Sequence, residues 1–91
     1  MNYYLLTYHV VDDYITRRVP YREEHLRLAG EALARGELIL GGALANPADK
    51  AVLVFRTQDK TSVEAFVRND PYVRYGIVTQ WEIRDWNVVI Q

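Results

Sequence analysis

Leu38-Ile39-Leu40-Gly41-Gly42-Ala43-Leu44, then Asn46-Pro47-Ala48-Asp49, then Ala51-Val52-Leu53-Val54-Phe55-Arg56-Thr57 is the stretch that sets the topology of this chain. Two runs of apolar and β-branched residues flank typical turn residues, so they read as strands two and three of a hairpin. Upstream, residues 3–11 form another run without a breaker, the first strand. Tyr3, Leu5, Thr7, His9 and Val11 fall on one of its faces and Tyr4, Leu6, Tyr8 and Val10 on the other, so neither face is simply solvated. Residues 12–19 read as a charged connection. Pro20 suits a first helical turn, and a helix follows from about Tyr21 to Arg35, stopped by Gly36. Downstream, Thr61-Ser62-Val63-Glu64 has the composition of a capping box, and Asp70-Pro71 closes the second helix. Residues 72–76 then turn, residues 77–85 form strand four, and residues 86–91 are a tail available as an edge strand. The order β-α-β-β-α-β implies an α+β ferredoxin-like sandwich, a four-stranded antiparallel sheet with both helices on one face.

A chain of 91 residues, 49% apolar and 25% charged, fits one globular domain over residues 1–91. Its net charge of −1 supplies no basic field, and its arginines are scattered, so nucleic acid is not expected as a partner. No apolar run is long enough for a membrane span, and Met1-Asn2-Tyr3-Tyr4 lacks the layout of a signal peptide, so a cytoplasmic protein is expected. There is no cysteine, and two histidines, His9 and His25, do not make a metal site; none is expected. The apolar residues on both faces of strands one to three, with Trp81 and Trp86 on alternate faces of the last strand, call for a second cover on the sheet. A homodimer stacked through the helix-free face would provide it.

Helical periodicity singles out the candidate site. Tyr21, His25, Leu28, Ala29, Ala32 and Leu33 share the inward stripe of the first helix, with Arg22 on the same side; Val63, Phe66, Val67 and Asp70 share that of the second. An imidazole and a carboxylate are thereby aimed into one half-buried space, an arrangement suited to general acid/base work. Each residue also has a plainer use. His25 would serve as a space-filling histidine on a backbone carbonyl, Asp70 as the helix-ending residue before Pro71, Arg22 as an ion-pair donor and Tyr72 as the lid of an apolar layer. His9 fits a sheet edge or a dimer face. Phosphate-loop, RNA-recognition and serine-nucleophile patterns are missing, and acid/base chemistry is what remains.

Arg22-Glu23-Glu24-His25-Leu26, the strand between Gly36 and Gly42, and Asp70-Pro71-Tyr72-Val73 occur in an order and at separations that resemble the YCII-related (YciI-like) family over nearly the whole chain. The resemblance implies a dimeric α+β barrel with an active-site pair at His25 and Asp70. It also implies acid/base chemistry on small ring compounds, of the dehydrochlorinase or lactone-isomerase kind, with no metal or organic cofactor. From the residues themselves, Arg22 and Tyr72 are the expected substrate-binding residues, one or other at the rim of the cleft. Arg22 is able to hold anionic charge on the substrate bidentately, and Tyr72 offers a hydroxyl near Asp70. The alternative use of the same scaffold is a non-catalytic module that binds a small ligand or a partner. The chain departs from the family pattern at Gly42-Ala43, where Gly-Pro is common, and at Arg84-Asp85-Trp86, where Lys-Pro-aromatic is frequent.

Overall fold

The computed structural model describes residues 1–91. Its strands are β1 (Asn2–Val10), β2 (Leu38–Ala43), β3 (Lys50–Thr57) and β4 (Val78–Trp86), and its helices are α1 (Tyr14–Arg17), α2 (Arg22–Ala34), α3 (Thr61–Asn69) and α4 (Pro71–Arg74). The sheet order is β2-β3-β1-β4 with every pairing antiparallel, the ferredoxin-like arrangement expected of the sequence.

Alternation along β1 and β3 decides which face is covered. Tyr4, Leu6 and Tyr8 of β1 and Ala51, Leu53 and Phe55 of β3 are buried together with Val63, Phe66 and Val67 of α3 and Ala32 of α2. The opposite face carries Tyr3, Leu5, Thr7 and His9 beside Arg56, Val54, Val52 and Lys50 by register, and these β1 residues are only half-buried. Helix α2 ends where Gly36 takes φ 78°, and the Glu37 N–H returns to the Ala32 carbonyl at 3.0 Å, a cap that suits glycine.

Four details differ from the sequence reading. The connection after β1 is not a plain loop: it holds α1 and a 3-10 turn, Val19–Tyr21, anchored by buried Tyr14. Leu33 lies outside the inward stripe and is 56% exposed, whereas its neighbour Ala32 is the residue of α2 that is fully buried. No capping box forms at Thr61; Asp59 accepts both the Thr61 N–H and its hydroxyl, two residues ahead of the expected arrangement. Residues 72–76 begin with helix α4 rather than a turn, and no strand forms after Trp86.

Candidate active site

Asp70 stands at the junction of α3 and α4. Pro71 keeps its backbone extended, at φ −75° and ψ 121°, which turns the carboxylate back over the next helix so that Oδ1 accepts the Tyr72 N–H at 3.0 Å. The same carboxylate, 0% exposed, accepts the Tyr8 hydroxyl at Oδ2 over 2.8 Å. His25 Nδ1, reaching down from the first turns of α2, lies 3.0 Å from each of its oxygens. A carboxylate withdrawn from water needs such partners, since a bare buried ion is strongly unfavourable.

These contacts fix the histidine tautomer. Asp70, as a carboxylate, has only acceptors to offer, so Nδ1 carries the proton and donates it. Nε2 of the neutral ring is then left with its lone pair. It has no partner within the protein and is not sealed from solvent. The ring itself is clamped: Tyr72 stacks on it with centroids 3.9 Å apart and planes 8° from parallel, and Phe66 meets it edge-on at 6.5 Å. Tyr14 in turn holds Tyr72 in a T-shaped contact at 6.0 Å.

The His25 ring, 14% exposed, opens into a cavity of about 210 Å³. Its polar lining is Tyr14, Arg18, Arg22, His25 and Tyr72; Leu26, Leu38 and Leu53 are among its apolar walls. Gly41 and Gly42 of β2 leave one side free of side chains, and no neighbouring atom lies within 4 Å of where a Cβ on Gly42 would sit. Nowhere do three His, Cys, Asp or Glu side chains gather as a metal ion requires.

Of the residues singled out from the sequence, the structure brings His25 and Asp70 into direct contact and puts Arg22, solvent-exposed at the first position of α2, on the cavity wall. Tyr72 is not at the rim. It is 1% exposed and supports the imidazole from beneath, because α4 folds it back under α2. His9 pairs with Lys50 and Gln80 on the sheet and does not line the cavity. Sequence reasoning missed Tyr8, Tyr14 and Arg18. Tyr8 had a signal, since period-two alternation groups it with Tyr4 and Leu6. Tyr14 and Arg18 had none, because a four-residue helix shows no periodicity.

The model of the YCII-related domain matches residues 1–87. The chain belongs to the YCII-related family. No curated protein matches it. Among solved structures, this YCII-related chain is similar to the 5-chloro-2-hydroxyhydroquinone dehydrochlorinase of Burkholderia phenoliruptrix, determined in complex with 2,5-dihydroxybenzoquinone. The two share 17% identity over 93% of each chain, with a TM-score of 0.78. A protein of Agrobacterium tumefaciens is similar at 16% identity over 98% of this chain and 94% of that one, with a TM-score of 0.64. At these identities the likeness is one of fold.

The site also fixes how this YCII-related protein responds to alkali. Burial, then the charge of Asp70 and the hydrogen bond to it, pushes the Tyr8 hydroxyl far above its ordinary range, and burial pushes Tyr72 up to about 12. An unfolded tyrosine ionises near pH 10. The unfolded chain therefore loses these protons first, and the stability they confer is complete below about pH 10 and falls as pH rises through the folded values, from about pH 10 to about 12 for Tyr72. Each hydroxyl contributes a slope of up to about 1.4 kcal/mol per pH unit. Urea midpoints between pH 9 and 11 should fall along this slope, and Tyr8→Phe should flatten it while costing about 1 kcal/mol at neutral pH. A Tyr8→Phe protein with an unchanged alkaline slope would show that this hydroxyl does not titrate with unfolding.

Proposed function

We propose that this YCII-related protein is a cytoplasmic acid/base enzyme that acts on a small, ring-sized organic molecule without a metal or organic cofactor. Nε2 of His25 exchanges the proton and Asp70 is the positioning residue. The observation that carries this reading is one imidazole with Nδ1 held by a buried carboxylate at 3.0 Å and Nε2 left open to a cavity. The neutral ring takes a proton from a substrate O–H or C–H, and the imidazolium so formed is stabilised by Asp70 and by the stacked face of Tyr72. A group that leaves the substrate with its electron pair completes an elimination, and the proton returns to that group or to water. Nothing is oxidised or reduced.

The dehydrochlorinase of similar fold supports this choice, since loss of a proton and chloride is an elimination of that type. Its named substrate is therefore the first to try. Chloride released from 5-chloro-2-hydroxyhydroquinone, followed with an ion-selective electrode, should exceed the rate in buffer and should depend on His25. Release at the buffer rate would remove the dehydrochlorinase form of the reading.

We also infer a homodimer through the helix-free face. Tyr3, Leu5, Leu40, Val52, Val54 and Trp86 share that face by register, and Trp86 is 46% exposed in the single chain. Light scattering at micromolar concentration should give twice the 10.6 kDa of one chain. A mass of 10.6 kDa would exclude the dimer.

A further inference from the structure

The charge around the cavity is one-sided. Arg18 and Arg22 line it, and no acidic side chain does; the nearby carboxylate, Asp70, stands behind His25 and is occupied by Tyr8, His25 and the Tyr72 N–H. The arginines that form ion pairs are Arg27 and Arg35, whereas Arg18 and Arg22 meet no carboxylate. Arg18 is half-buried with its guanidinium 5.0 Å from the centroid of the Tyr14 ring, which limits its freedom before anything binds. The otherwise buried side chains of Tyr14 and Tyr72 also line the cavity, and their hydroxyls make no hydrogen bond within the protein. Both arginines also act on the Tyr72 hydroxyl, lowering its pKa against the larger effect of burial. Donors and cations thus face an otherwise apolar space whose volume of about 210 Å³ corresponds to about seven water molecules.

We propose that Arg18, with Tyr14 beneath it, joins Arg22 in a two-armed anion clamp, and that the ligand is a ring-sized organic anion presenting coplanar oxygens of the carboxylate type. A planar guanidinium matches such oxygens in pairs, which a lysine does not. The apolar walls take the ring, and His25 Nε2 lies along the same cavity. This rests on the cavity being the substrate site of the acid/base reading and adds the class of molecule that enters it.

Sodium benzoate and its neutral isostere benzamide are the probes, each titrated into the intact protein while the His25 ring resonances are followed by NMR. Benzoate should bind at least about tenfold more tightly than benzamide, and Arg18→Gln should weaken benzoate by about tenfold while leaving benzamide alone. Arg18→Lys, which keeps the charge over Tyr14, should fall between the two. Arg27→Gln removes the same charge from the outer face of α2 and should change nothing. Equal binding of the two probes, no response of His25 at millimolar benzoate, or equal weakening by Arg27→Gln would each overturn the clamp. Chloride release unchanged in His25→Gln, with benzoate binding still dependent on Arg18, would remove the acid/base reading and leave the clamp. Loss of that dependence alongside turnover that needs His25 would do the reverse.

Discussion

Exchange of His25 for glutamine should, under the proposed acid/base reading, leave a folded protein whose turnover is lower by about 10²- to 10⁴-fold, the usual contribution of a positioned acid/base. Glutamine reaches Asp70 with an N–H, so the buried carboxylate keeps a donor and the change in stability stays near 1 kcal/mol. What glutamine cannot supply is a lone pair of suitable basicity where Nε2 now faces the cavity. The loss should appear in kcat with KM nearly unchanged, since ground-state binding relies on the cavity walls rather than on this nitrogen. Chloride release and urea midpoints, measured side by side, separate this from a non-catalytic module. There the substitution would shift the midpoint and nothing else, and wild-type turnover surviving in the variant would end the His25 mechanism.

Asp70→Asn is the second large effect, and it acts through tautomers. Two carboxylate oxygens now receive the Tyr8 hydroxyl, the Tyr72 N–H and the Nδ1–H of His25. An amide replaces one acceptor with an NH₂ group, so one of these donors meets another donor. The least costly relief moves the imidazole proton from Nδ1 to Nε2, which converts the free nitrogen from base to donor. Turnover should then drop by about 10²- to 10⁴-fold although every atom remains near its place. Asp70→Ala goes further. It removes the cap of α4, worth about 1 kcal/mol, and strands the Tyr8 and His25 donors at about 1 to 3 kcal/mol each, so the unfolding free energy from urea titration should fall by about 3 kcal/mol or more. Full turnover in the Asn variant would show that the carboxylate is not the partner that sets the ring.

The fold was legible because its signals agree at several levels: the hairpin at residues 38–57, Gly36 ending α2, and period-two alternation in β3. The approach of His25 to Asp70 was legible for a narrower reason. His25 lies on the inward stripe of a helix long enough to show its period. Asp70, read as the last residue of the other stripe, instead stands one residue past α3 in extended backbone and is aimed inward as the cap of α4. Tyr8 escaped because both faces of β1 are apolar, and sequence alone does not say which one meets the helices. Tyr14 and Arg18 escaped because the one buried side chain there, Tyr14, opens a four-residue helix and Arg18 follows its end, below the length at which any pattern repeats. At Thr61 two capping solutions compete, and Asp59 wins because a carboxylate receives both the amide and the hydroxyl of Thr61, whereas the Thr61 side chain had only an amide to receive.

The connection between β1 and α2 joins the rest of the core through one buried side chain, Tyr14, while most of its other residues stay exposed. Its exposed residues make none of the Asp70 hydrogen bonds, whereas Tyr14 reaches the site through Tyr72. Under the proposed reading, the connection supplies one arm of the clamp, Arg18 on Tyr14, while the other arm, Arg22, shares helix α2 with His25. If that reading holds, exchanging the connection between relatives should alter anion affinity through Arg18 alone and leave the Arg22 arm in place.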